Sequence, residues 1–159
     1  MKAFEIVPFS LFALAASAAL AQDAAPGRIG LGAPRDIMLE VSAGDDGAIM
    51  LSNDRFELEL GGYYRLNLVC ADDGAYSFTA DDLIKNAHLR ILSVGTIEAY
   101  LQGMSFRALE CDGAGSVRFS FHPMRPGEFA FTIRNADAGF VPEMNSGADQ
   151  LAQGVFVVE

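Results

Sequence analysis

Two histidines, two cysteines and a handful of methionines and acidic pairs are the residues of this 159-residue chain whose chemistry could exceed packing. His122-Pro123-Met124 sets an imidazole and a thioether two positions apart. On a strand both point to one face, and such a pair can hold Cu(I). The plainer arrangement is the expected one: Phe121 ends a core strand, PMRPG turns the chain, Met124 packs and His122 faces water. His88 lies in KNAHLRI with Lys85 and Arg90 nearby but no second imidazole or thiolate, and a lone histidine is seldom a metal site. Asp45-Asp46, Asp72-Asp73 and Asp81-Asp82 lack both the alternating oxygen ligands of a calcium loop and the cleft of a glycosidase. Solvated turns are expected there. The chain has no Gly-x-Ser-x-Gly, His-Glu-x-x-His, P-loop or Cys-x-x-Cys pattern, and no triad arrangement for its serines. The residues therefore predict no catalytic set, and no metal or other cofactor.

Residues Met1–Ala21 carry one Lys, an apolar run from Ile6 to Leu20 interrupted by Pro8, Ser10 and Ser17, and Ala19-Leu20-Ala21 before Gln22. This pattern predicts a cleaved secretory signal rather than a span, which needs about 20 unbroken apolar residues. The signal also inflates the positive mean hydropathy of the whole chain. Its removal takes away one Lys and one Glu, leaves the formal charge at −10, and makes Lys85 the only lysine. So acidic a surface repels phosphate backbones and anionic lipid, which excludes nucleic acid as the expected partner. Export to a periplasmic or extracellular compartment would let Cys70 and Cys111 form one bridge; the alternative is a pair of buried thiols.

Positioning elements follow from the patterning. Gln22–Pro34, with three Gly and two Pro, predicts a flexible leader, and order is expected from Arg35. Short apolar or alternating runs predict strands over Asp36–Val41, Ile49–Leu51, Phe56–Leu60, Tyr63–Cys70, Ala75–Thr79 and His88–Val94. Further strands are predicted over Ile97–Leu101, Phe106–Cys111, Val117–Phe121, Glu128–Arg134 and Val155–Val158. Glycine- and aspartate-rich turns separate them, Gly61-Gly62 and Asp72-Asp73-Gly74 among them. Only Ala80–Asn86 has helical character, with Thr79 as the expected N-cap. The result is an all-β, antiparallel sandwich or barrel in one domain from 35 to 159, with one short helix.

Three stretches carry a family resemblance: FELELGGYYRLNLVCADDGAYSF from Phe56, VRFSFHPMRPGEFAFTI from Val117, and QGVFVVE from Gln153. Together they resemble the cupredoxin superfamily of blue-copper proteins, which implies a Greek-key β-sandwich. The family's first histidine ligand would fall at Tyr76 and its cysteine ligand at or beside Ile133. Residues 134–153, in place of the loop that brings the second histidine and axial methionine, contain no His and no Cys; Met144 alone remains. A type 1 site needs a thiolate and two imidazoles, so the resemblance implies the scaffold without its usual metal. Tyr76 is expected to fill the vacated space with its ring.

The functional expectation is an exported, non-enzymatic, cupredoxin-like binding or accessory module. Two rivals stand beside it. One is an atypical copper-binding or electron-transfer protein of the periplasm using His88, His122, Met124 or Met144. The other is a partner of a periplasmic redox enzyme or transporter, docking a basic protein such as a c-type cytochrome through its acidic face.

Overall fold

The structure, a computed structural model, describes residues 32–95, 97–100, 105–136 and 151–159. Its strands are β1 (Arg35–Ala43), β2 (Ile49–Leu51), β3 (Arg55–Leu58), β4 (Tyr64–Cys70), β5 (Ala75–Thr79) and β6 (Ala87–Val94), with helix α1 (Asp81–Lys85) between the last two. They continue with β7 (Ile97–Tyr100), β8 (Leu109–Asp112), β9 (Gly115–Pro123), β10 (Gly127–Asn135) and β11 (Leu151–Val158). One sheet runs β2-β1-β4-β9-β6-β7 and the other β3-β11-β10-β5-β8. The chain passes repeatedly from one sheet to the other, as from β4 to β5, β5 to β6 and β9 to β10. These crossings build a Greek-key sandwich.

Period-two alternation explains which residues meet between the layers. In β4, Tyr64, Leu66, Leu68 and Cys70 are buried while Arg65, Asn67 and Val69 are half-buried on the other face. In β10, Phe129, Phe131 and Ile133 point inward and Ala130 and Arg134 outward. Phenylalanine rings run through this core. Phe131 sits 5.1 Å from Phe156 and 5.9 Å from Phe78, which reaches across to Phe119 of the other sheet at 6.2 Å. These tilted geometries suit ring quadrupoles. Close packing of the rings requires Gly154, where a Cβ would collide with the Phe131 ring and the Asp54 carbonyl.

Three of the departures from the sequence reading bear on the site. Neither sheet is purely antiparallel: β1 pairs parallel with β4, and β3 pairs parallel with β11. Alternation fixes which face a strand buries but is silent on the direction of its neighbour. Second, α1 begins after Ala80 rather than Thr79, with no side chain capping it; the Ala80 carbonyl accepts the first helical bond, from Ile84. Third, β9 does not stop at Phe121. It continues through His122 and Pro123, paired with His88 and Ala87. That extension decides the environment of both histidines.

Candidate functional site

The sandwich has two ends with polar chemistry. β9 finishes at Pro123, and β10 starts back from Gly127 and finishes at Asn135, so the histidines and Tyr76 lie at opposite ends.

At the Tyr76 end, β5 lies between β10 and β8, so that Tyr76 is the register partner of Asn135 on one side and Cys111 on the other. Its ring is in the core, 4% exposed. Its hydroxyl donates to the Asp72 carboxylate at 2.9 Å. Asp72 also accepts from the backbone N–H groups of Ala43, at 2.6 Å, and Gly74, at 2.9 Å. Those backbone donors, followed by the Tyr76 hydroxyl, hold the Asp72 carboxyl below the usual carboxylate range. Burial, and then the bond to Asp72, push the Tyr76 phenol up to about 12. Asp72 is thus the organiser of its turn rather than a merely solvated residue. Cys70 at the end of β4 and Cys111 in β8 form a disulfide that ties one sheet to the other. Ile133 is fully buried opposite Phe78.

At the other end, the antiparallel register of β6 on β9 brings His88 directly across from His122. The ring centroids are 6.3 Å apart. No reading of sequence neighbours around His88 could show this, because 33 residues separate the two positions. His122 is fully buried and Met124 is 42% exposed, the reverse of the expected arrangement. Extension of β9 is the reason: His122 stays within the sheet, beneath the Tyr63 ring stacked on it at 4.5 Å. Its Nδ1 lies 3.2 Å from the Gly61 carbonyl. Gly61 has φ +74°, a conformation that favours glycine, and its N–H bonds to the Pro123 carbonyl, clasping the turn to the end of β9.

Since a carbonyl only accepts, Nδ1 carries the proton in the neutral ring and Nε2 keeps its lone pair. His122 Nε2 is buried and has no hydrogen-bond partner among the described residues. Burial, ahead of the opposing Gly61 bond and the nearby Arg90 charge, moves the His122 imidazole below its ordinary range. A bulge in β6 between Leu89 and Ile91 sets Arg90 out of register, and its guanidinium stands 5.2 Å over the Tyr63 ring. Beside this stack lies a cavity of about 320 Å³ lined by Lys85, Asn86, Ala87, His88, Met124 and Arg125.

Tyr63 and Gly61 are the members of this cluster that sequence reasoning missed, and Arg90 was named only as a sequence neighbour of His88. The double glycine was legible as a turn, but nothing local marked what would lie under it. Of the acidic pairs, Asp46 caps its own turn by accepting from the Ala48 N–H, and Asp82 lies 3.7 Å from Lys85 along α1. Met144 and residues 1–31, with the signal expected there, lie outside the described residues. Among the described residues, no group of three His, Cys, Asp or Glu is placed to hold a metal, and no helix is long and apolar enough to cross a membrane.

No protein-family model matches the sequence, and no curated protein matches it. Solved structures do. Fet3p, a multicopper oxidase that functions in iron import, superposes with TM-score 0.53 at 13% identity over 77% of this chain and 27% of its own. Another multicopper oxidase gives 0.54 at 14% identity over 81% of this chain and 45% of its own. Copper nitrite reductase from Nitrosomonas europaea gives 0.54 at 10% identity over 81% and 50%. The fold is cupredoxin-like. This chain spans about a quarter to a half of the length of those proteins, and at such identities the likeness is one of fold.

The type 1 copper centre that the family resemblance implies can be tested against the residues expected at its ligand positions. A type 1 site requires a thiolate and two imidazoles. Both sulfurs of the cysteines are joined to each other, Tyr76 offers a phenol already bonded to Asp72, and Ile133 offers a hydrocarbon. These side chains do not fit the group.

Proposed function

We propose that this chain is an exported cupredoxin-like binding or accessory module, working without enzymatic activity and without a type 1 copper site. One observation carries the reading: Tyr76 is packed at the expected ligand position, with its hydroxyl donated to Asp72. That arrangement satisfies the side chain internally and leaves no imidazole at the position. The inter-sheet disulfide supports export, since such bonds persist in oxidising compartments. The formal charge of −10 supports a basic protein partner of the same compartment, such as a redox protein, met through a salt-sensitive encounter.

Adding Cu(II) to the oxidised mature chain tests the central claim. The expected result is no sulfur-to-copper charge-transfer absorption, and its appearance would overturn the reading.

A further inference from the structure

We propose that His122, His88 and Met124 form a site for a soft monovalent metal ion, Cu(I), at the end of the sandwich opposite Tyr76. The inference goes beyond the function proposed above, which concerns the other end of the molecule. Two imidazoles and a thioether are a donor set suited to Cu(I).

The strongest observation is the state of His122. Nδ1 donates to the Gly61 carbonyl at 3.2 Å, the outer bond that ordinarily orients a metal-binding imidazole and fixes its tautomer. Nε2 is left with its lone pair, buried and unpartnered among the described residues. A bare buried nitrogen of this kind costs free energy unless something occupies it.

Geometry supplies the other donors. His88 is exposed, its ring centroid is 6.3 Å from that of His122, and the planes are tilted by 31°. This is close to the separation of two imidazoles sharing an ion about 2 Å from each ring nitrogen. The Met124 N–H bonds to the Asn86 carbonyl at 2.8 Å, which fastens Met124 beside the start of β6. Met124 and His88 then line the same cavity. The positive charges around it select among ions. Lys85, Arg90 and Arg125 disfavour a divalent cation, whereas three neutral ligands around a monocation add the least charge.

Anaerobic titration of the oxidised full-length mature chain with Cu(I), kept reduced by ascorbate and in competition with a chromophoric Cu(I) chelator, tests the site. One equivalent is expected to be retained. His88→Gln and Met124→Leu, both at exposed positions, should each weaken retention at least tenfold while leaving the circular dichroism spectrum unchanged. X-ray absorption of the loaded protein should show nitrogen scatterers and one sulfur, the sulfur lost in Met124→Leu. Tyr76→Phe should leave retention unchanged. Failure to compete with the chelator, retention indifferent to both variants, or sulfur scattering that survives Met124→Leu would each overturn the assignment. Binding of inorganic phosphate in the cavity without Cu(I) retention would do so too, making the cationic rim an anion site. A charge-transfer band with Cu(II) would defeat the reading of the Tyr76 end and leave this site standing.

Discussion

Tyr76 and Asp72 share one hydrogen bond, and each shows its effect on the other. The phenol is held up to about 12 by burial and by the carboxylate, so its folded value lies above its unfolded value near 10. The associated stability is fully present below about pH 10 and is lost as the pH rises through about 12. Alkaline titration followed by phenolate absorbance should show an ionisation near pH 12 that is absent from Tyr76→Phe; a titration curve unchanged in that variant above about pH 11 would contradict the bond. His122 runs the opposite way. Its folded value is lowered, so the unfolded chain binds the proton first, and stability is lost as the pH falls from about 6.5 through the folded value. His122→Asn keeps a donor for the Gly61 carbonyl but cannot titrate. Its denaturation midpoints should be lower overall and flat across that window, where the parent's decline. At this scale the sequence singled out Tyr76 and His122 without their surroundings: Tyr76 came from a resemblance, while the burial of His122 depended on where β9 ends. A proline after the histidine reads as a stop, yet Pro123 is the last residue of the strand, where a missing N–H is tolerated.

Strands were more legible than their pairing. Alternation marked the inward faces of β4 and β10 because a half-buried strand must segregate its side chains. The parallel pairs β1/β4 and β3/β11, and the first four residues of β11, left no such mark. Leu151–Gly154 lacks a buried hydrophobic side chain, and its place comes from backbone pairing with β10 through Phe131↔Gly154. Two substitutions test this packing. Phe131→Ala removes a fully buried ring from the middle of the phenylalanine cluster and should cost about 3 to 5 kcal/mol in denaturant unfolding. A loss below about 1 kcal/mol would mean that Phe131 does not face the core. Gly154→Ala should also destabilise, despite adding a methyl group to a strand, because that methyl meets the Phe131 ring and the Asp54 carbonyl. A gain in midpoint would show that the strand approaches less closely than described.

Across the whole molecule, the described residues give the two ends of the scaffold different chemistry. The Tyr76 end is fastened by the Asp72 turn and by the bridge between β4 and β8; the histidine end has a cavity and a ring nitrogen with no partner among the described residues. The bridge was legible from two cysteines and an expected signal, but its joining of the two sheets was not, since that depends on which sheet β8 enters. Cys70 and Cys111 are separated by 41 positions, and closing such a loop is worth about 4 kcal/mol in the chain-entropy model. A bond between layers restrains the unfolded chain across the sandwich's main interface, so its loss should be felt by the fold as a whole rather than at one hairpin. Cys70→Ser, Cys111→Ser and the double variant are therefore expected to lower unfolding free energy by about 2 to 5 kcal/mol each. The double variant should not be additive, because either single change already removes the bond. Native oxidised protein should resist alkylation until reductant is added. Labelling of both cysteines without reductant, or a double variant as stable as the parent, would show that the sandwich does not depend on the bridge.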